Sequence, residues 1–202
     1  MGALTLSKLT KHFESKELFC DLSFTFPKSG LFLLLGESGS GKTTLLRMIA
    51  GLDTDYTGSI EGGTSPNVSM AFQEHRLLPV LTALGNVTEA LRPLKIDKKE
   101  AEARAKDALL SLGFPEKDFK TRPAALSGGM RQRVSLARAF AVDRPILLLD
   151  EPEKELDAAL RDRLYAAIET ARKSRLVIIT THTPDRLLPM ADGVLSLSPK
   201  NA

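Results

Sequence analysis

The segment Gly36-Glu37-Ser38-Gly39-Ser40-Gly41-Lys42-Thr43 constrains this chain more than any other. It follows five consecutive apolar residues, Leu31-Phe32-Leu33-Leu34-Leu35, and precedes a stretch from Thr44 to Ala50 that reads as a helix. A run that is apolar at every position marks a strand buried on both faces, as in a parallel sheet. Gly, four residues, then Gly-Lys-Ser/Thr between such a strand and a helix is the spacing of a phosphate-binding loop. Glycines let the backbone curl so that successive N–H groups point inward, and the helix adds its positive end, which together form a nest for an anionic phosphate chain. Lys42 is placed to reach the β and γ phosphates, and Thr43 to offer a hydroxyl to Mg²⁺, which takes hard oxygen ligands. Four such positions match by chance in about one chain of this length per hundred, and the strand-loop-helix setting lowers that further.

Three more runs share the character of buried strands: Val68 to Phe72, Ile146 to Leu149 and Leu176 to Thr180. The first 30 residues differ. They alternate apolar and polar, as in Leu22-Ser23-Phe24-Thr25-Phe26, and then meet Pro27 and Gly30, which predicts an antiparallel β layer. Asp97 and Glu100 predict a capping box for a helix with Ala101, Ala105, Ala108, Leu109 and Leu112 on one face and Gly113 at its end. A second helix starts at Asp157, with Leu160, Leu164, Ala167, Ile168 and Ala171 inward. The stretch from about Asn86 to Arg122 carries no strand signal and reads as an all-helical insertion in an α/β frame.

A length of 202 residues makes one domain the expectation, and 43% hydrophobic with 26% charged residues excludes disorder as the main state. No apolar run approaches the roughly 18 residues needed to cross a bilayer. Met1-Gly2-Ala3-Leu4 has neither a charged leader nor a long apolar stretch, so no secretory signal is expected and a cytosolic chain is. The single cysteine, Cys20, cannot form an internal disulfide and is expected in the core, and the absence of zinc-type His/Cys spacing argues against a structural metal. A net charge of +3 is too small to imply nucleic acid; it reads as a solvated surface, compatible with docking near an acidic membrane face.

Chemistry-bearing residues stand at the ends of the strands, where open α/β sheets bind ligands. Asp150-Glu151 ends Ile146-Leu147-Leu148-Leu149. Asp150 can hold a metal through water, while Glu151 can polarise a water that attacks the γ phosphate. Gln73 follows one strand and His182 another. A carboxamide can ligate Mg²⁺ and sense the third phosphate, and an imidazole can donate to it. Alone, the carboxylates read as a cap or ion pair and the histidine as a packed core residue; together the four strand ends deliver the set that phosphoryl hydrolysis requires. His12 and His75 have no such placement and read as surface or packing residues. The last constellation is Leu126-Ser127-Gly128-Gly129-Met130-Arg131-Gln132-Arg133, which runs into a helix with Met130, Val134, Ala137 and Ala141 apolar. Ser127 can be an ordinary N-cap, yet a serine and bare glycines at a helix start also form a second anion site, so that one chain carries two half-sites.

With these motifs the chain resembles, over nearly all of its length, the ATP-binding-cassette (ABC) ATPase domains that power membrane transporters. Gly36 to Thr43 resembles the family's Walker A loop, Ile146 to Glu151 its Walker B strand, Gln73 its Q-loop and His182 its switch histidine. Leu126 to Met130 resembles its signature motif, with Met130 where Gln is commonest. Glu151-Pro152-Glu153-Lys154-Glu155-Leu156-Asp157 is similar to its D-loop, but Lys154 and Glu155 stand where small residues are usual. Thr183 stands where Asp is usual, and Thr183-Pro184 would still make a cap and first helical residue. The resemblance implies a P-loop NTPase with a RecA-like parallel sheet core, an N-terminal antiparallel β layer and an inserted helical subdomain. One domain would cover 1–202: the β layer, P-loop and Q-loop in 1–85, the helical subdomain with the signature in 86–140, and the Walker B, D-loop and switch-histidine part in 141–202.

The same resemblance implies ATP and Mg²⁺ as cofactors. Gly36, Glu37, Ser38, Gly39, Ser40, Gly41, Lys42, Thr43 and Thr44 would hold the nucleotide, with Phe13 either stacked on adenine or simply core. Thr43, Gln73 and Asp150 would hold the metal, and Glu151, His182, Gln73 and Lys42 would carry catalysis. Ser127, Gly128, Gly129 and Asp157 would complete the site of a second copy, in a homodimer or a pair with a related subunit. Phe72 to Thr82 is similar to bacterial importers for small anions and organic sulfonates, in which a groove beside the Q-loop receives a transmembrane permease; Leu77, Leu78 and Val80 would be the apolar contacts. The expected location is the cytoplasmic face of the inner membrane, with no nucleic acid bound. Residues past about Ser198 are too few for an appended regulatory domain. A non-transport ABC ATPase acting on DNA or ribosomes would carry long coiled coils or a duplicated cassette, and the chain has neither heptads nor duplication. A phosphate-loop kinase or GTPase would lack Leu-Ser-Gly-Gly.

Overall fold

The run of leucines after Gly30 is the strand its periodicity predicts. In this computed structural model, which describes residues 4–13 and 16–197, β3 (Gly30–Gly36) has Leu31, Leu33 and Leu34 at no more than 1% exposure. The chain divides into two units, the first comprising Met1–Val68, Arg144–Asp150 and Ala171–Ala202. In it β6 (Ile146–Asp150), β7 (Leu176–Thr180), β3 and β8 (Gly193–Leu197) lie side by side in that order as parallel strands. Every residue of β6 and β7 is buried, as expected of strands covered on both faces. The register sets Asp150 opposite Thr180 and Leu34 opposite the same threonine, so β6 and β7 end level with each other and β3 runs two residues further, to Gly36. β5 (Val68–Ala71) is the edge strand beyond β6, and Val68 is the last residue of this unit before the chain leaves it. Here the expectation of a run buried throughout from Val68 to Phe72 is corrected. Only Ser69 and Ala71 are fully buried, so β5 is covered on one face and stops a residue earlier.

The N-terminal residues form the expected antiparallel layer. β1 (Thr5–Phe13) pairs with β2 (Lys16–Thr25) on one side and with β4 (Thr57–Glu61) on the other. Its burial of Lys11 is a local constraint on the turn before β4. The ammonium lies 3.0 Å from Asp53 and 3.3 Å from an Asp55 carboxylate oxygen. Burial opposes the charge, but the two carboxylates outweigh it and raise the Lys11 pKa above its ordinary value. Phe24, Phe26 and Phe32 meet edge to face, with ring centroids 4.7 to 6.2 Å apart, and weld the end of β2 to β3. Cys20 is half-buried rather than core, because β2 is the outer strand of its sheet. Met1 to Ala3 and the tail from Ser198, on which the leader and appended-domain expectations bear, lie outside the described residues.

The second unit, Ser69–Asp143 with Glu151–Thr170, is helical. It contains α2 (Ala83–Leu91), α3 (Lys98–Ser111), α4 (Gly128–Ala141) and nearly all of α5 (Ala158–Ala171). Ala101, Ala105, Leu109 and Leu112 are buried, as the predicted stripe of α3 requires. Its cap is simpler than a capping box. Asp97 accepts from the Lys99 N–H at 2.8 Å, while Glu100 turns along the helix to Arg104 at 2.7 Å. Asn86, 1% exposed, fixes the turn ahead of α2. Its Oδ1 accepts from the Leu78 N–H at 2.7 Å, and its Nδ2 lies 3.1 Å from the Leu78 carbonyl and 3.0 Å from that of Thr82. Asn86→Ala leaves the partly buried Leu78 N–H without its side-chain acceptor and should destabilise the chain by about 1–3 kcal/mol; urea unfolding against the wild type measures this, and an unchanged midpoint would refute the role of Asn86.

Candidate active site

The phosphate loop opens where β3 ends. Gly36 has φ +154° and sits so close to the Leu197 carbonyl and to Ser40 Oγ, 2.5 Å from where a Cβ would stand, that no side chain fits. Gly41 has φ +93° and precedes α1 (Lys42–Ile49), and a Cβ there would press the Phe19 ring at 3.0 Å. Lys42 is buried as the first residue of α1, and its ammonium donates to the carbonyls of Gly36 at 2.8 Å and Glu37 at 2.9 Å. Nζ is therefore held on the inside of the loop curve, while Glu37, Ser38, Gly39 and Thr43 are exposed and Thr44 is half-buried.

Across the strand ends Asp150 is 2% exposed. One of its oxygens, Oδ1, accepts from Thr180 Oγ1 at 2.6 Å and from Thr43 Oγ1 at 3.2 Å. The other, Oδ2, is buried with no hydrogen-bond partner among the described residues. An uncompensated carboxylate oxygen in a dry site is costly, and a cation beside it removes the cost. The donor set, a threonine hydroxyl and a carboxylate, is the hard-oxygen kind that suits Mg²⁺, so these residues fit the metal. His182 stands two residues beyond β7 and is exposed. Pro184 opens only a single 3₁₀ turn, Pro184–Arg186, and Thr183 does not cap it through its side chain; the Thr181 hydroxyl takes the Thr183 N–H at 3.0 Å.

In the second unit, Gln73 follows β5 and its Nε2 donates to Glu151 Oε2 at 3.1 Å, so two residues far apart in sequence meet. Glu151 has φ +48°, a left-handed conformation costly for a side-chain-bearing residue and concentrated at functional sites. Ser127 caps α4, its Oγ accepting from the Met130 N–H at 3.2 Å, so the plain capping role is present. Asp157 likewise caps α5 through the Leu160 N–H at 2.9 Å.

The segment between Glu151 and Asp157 packs on the first turn of α4. Gln132 is buried and donates to the Pro152 carbonyl at 3.0 Å. The Glu155 carboxylate lies against Gly128, and its carbonyl lies 2.7 Å from where a Gly129 Cβ would be. Glu155 also faces His75 Nε2 at 3.7 Å. His75 is thus a partly buried member of this cluster, more specific than a surface or packing residue. Burial lowers its pKa below the ordinary histidine value, Glu155 pulls it back, and Arg131 and Lys154 lower it further. Neither this contact nor the burial of Gln132 has a signal in the sequence, since both join segments about 20 to 80 residues apart. Phe13 closes β1, and its side chain lies outside the described residues.

The chain, whose parallel sheet carries a lysine-bearing glycine loop at the end of β3 and a threonine-held carboxylate at the end of β6, matches one family pattern, described as ABC transporter, across residues 19–154. The chain belongs to the ABC transporter family. It is 41% identical to the aliphatic sulfonates import ATP-binding protein SsuB of Corynebacterium glutamicum, over 96% of this chain and 80% of that one. It is 37% identical to an Fe(3+) ions import ATP-binding protein, FbpC, of Rhizobium meliloti over 99% of this chain, but spans only 60% of that protein's length. The fold is that of MJ0796, a bacterial ABC transporter cassette solved as a dimer, with a TM-score of 0.88 at 24% identity, covering 97% of this chain and 94% of that one. Among the described residues no helix is long and apolar enough to cross a membrane.

The packing at the start of α4 is tested by two glycine substitutions. Gly129→Ala drives a methyl group into a main-chain carbonyl and should cost about 1–3 kcal/mol. Gly128→Ala meets only the movable end of the Glu155 side chain and should cost less, helped by the roughly 1 kcal/mol by which alanine exceeds glycine in a helix. Equal losses in thermal unfolding would show that Glu155 does not lie where described.

Proposed function

We propose that this chain is the ATP-hydrolysing subunit of an importer, binding ATP·Mg²⁺ and driving a separate membrane-spanning permease. The observation that carries the reading is the convergence of Lys42, Thr43 and Asp150 at the ends of β3 and β6, the two strands that flank β7. Gly36 to Thr44 would wrap the triphosphate with main-chain N–H groups, and Lys42 would leave the loop carbonyls for the β and γ oxygens. Thr43, Asp150 and the carboxamide of Gln73 would hold Mg²⁺, which when bound offsets the charge of the β and γ phosphates. Glu151, steadied by Gln73, would take the proton of the attacking water. His182 would donate a hydrogen bond to the γ phosphate.

Ser127, Gly128, Gly129 and Asp157 would complete the nucleotide site of a second copy or of a related subunit. The first turn of α4 then serves twice, since Ser127 Oγ accepts from its own helix and still has a proton to give. The permease would dock on the segment after Gln73, where Leu78 is 44% and Val80 73% exposed, large values for apolar residues beside a fixed turn. That docking places the chain on the cytoplasmic face of the inner membrane. The named relatives share import and differ in cargo, so import is the part carried over.

Glu151→Gln should bind ATP as the wild type does and lower turnover by about 10² to 10⁴; phosphate release and nucleotide titration measure both, and normal turnover would remove Glu151 from the role. Ser127→Arg should leave ATP binding to the single chain intact and abolish ATP-driven pairing, because bulk and charge fill the seat of the partner's γ phosphate. Light scattering with ATP in the Glu151→Gln background reads this out, and persistent pairing would contradict the trans site.

A further inference from the structure

Arg138 stands in the last turn of α4, the helix that Ser127 begins. Its two terminal nitrogens donate to main-chain carbonyls of the loop that follows Gln73: Nη2 to His75 at 2.9 Å and Nη1 to Arg76 at 2.8 Å. That loop is curled tightly. Arg76 has φ +45°, and its guanidinium lies over the Phe72 ring at 4.5 Å, so residues 72–76 close on themselves with two carbonyls turned toward α4. The far side of the loop is held independently by Asn86. The stretch with exposed Leu78 and Val80 is therefore anchored at one end to α4 and at the other to α2.

A guanidinium is an expensive way to fill such a place. Burial pushes the Arg138 pKa below its ordinary value, the direction of a cation taken out of water. Neutral carbonyls compensate that cost only in part, and an apolar side chain of similar length would fill the space more cheaply. What arginine adds is geometry: a planar, rigid fork whose two N–H vectors fix both carbonyls at once. Gln73 lies two residues before the first of those carbonyls and holds Glu151 at 3.1 Å.

We infer that Arg138 is a positioning residue for hydrolysis: by clamping the His75 and Arg76 carbonyls to α4 it sets the position of Gln73, and through Gln73 that of the Glu151 carboxylate. This rests on the assignment of Glu151 proposed above. A consequence is that the helix carrying the signature glycines and the carboxylate assigned as base move together, with the exposed Leu78 and Val80 segment on the same anchor.

The test uses the purified full chain with Arg138→Met, which keeps the stem and removes the fork, and Arg138→Lys, which keeps charge and one donor. Arg138→Met should leave KM for ATP within about twofold and lower kcat by about 10- to 100-fold, the scale of a small misplacement of reacting groups. Amides 73–78 should exchange hydrogen faster, and Arg138→Lys should recover part of kcat. In the Gln73→Ala background Arg138→Met should cost little more, because the two act in series. Wild-type kcat in Arg138→Met, or losses that multiply fully in the double variant, would overturn the inference, as would a lowered melting temperature with kcat unchanged. If Arg138→Met does not fold, Arg138→Lys decides by the same split. A wild-type chain that releases no phosphate would instead refute the proposed function, and exchange at 73–78 would then decide for Arg138: acceleration in Arg138→Met supports the clamp, and unchanged exchange overturns it.

Discussion

The buried carboxylate of Asp150 is the interaction on which the arrangement of the first unit depends. Its cost is offset on one oxygen only, by hydroxyls from β7 and α1, each placed by the end of a parallel strand. Thr180 can reach Asp150 because the two are register partners, and Thr43 can because the glycine loop turns the chain at the end of β3 and starts α1 there. The second oxygen has no hydrogen-bond partner among the described residues and is where the proposed Mg²⁺ would sit. A sheet that merely packed well would place an aliphatic residue at this position, as it does at the four before it. The charge at the end of β6 is thus a departure from core packing of the kind found at functional sites.

Glu155 resolves a puzzle posed by the sequence. Beside the family pattern, Lys154 and Glu155 look too large for their loop. The structure gives the Glu155 carboxylate the space that two glycines leave open at the first turn of α4, with His75 as its partner. A negative group there is favoured by the positive end of the helix and by the unpaired N–H groups of its first turn. The bulk is accommodated by Gly128 and Gly129 themselves, residues that the motif supplies for a different reason.

Much of the fold was legible because its signals are local. β3, β6 and β7 announce themselves as unbroken apolar runs, α3 and α5 as stripes with a cap, and the antiparallel layer as alternation. β4 and β8 were not legible: Thr57-Gly58-Ser59-Ile60-Glu61 carries one aliphatic residue, and its pairing with β1 is set by the neighbour rather than by propensity. In the site, Lys42, Thr43, Asp150, Gln73 and Glu151 were singled out by motif spacing and strand ends, whereas the bond between Gln73 and Glu151 was not. Arg138 could not. An arginine near the end of a helix reads as a solvated, dipole-favoured cation, and only the fold reveals that its acceptors lie more than 60 residues away.

One of the four points at which the chain passes between the two units is the peptide joining Asp150 to Glu151. The groups suited to holding a triphosphate and its metal, Lys42, Thr43 and Asp150, belong to the first unit; the carboxylate suited to activating water and the glutamine that steadies it belong to the second. The chain enters the second unit there through a strained backbone, with Glu151 at φ +48°. Strain of this kind persists only where surrounding contacts over-determine it. For Glu151 those contacts come through Gln73 and the loop held by α4. On the proposed role of Glu151, hydrolysis would depend on these contacts as well as on the groups suited to hold the triphosphate.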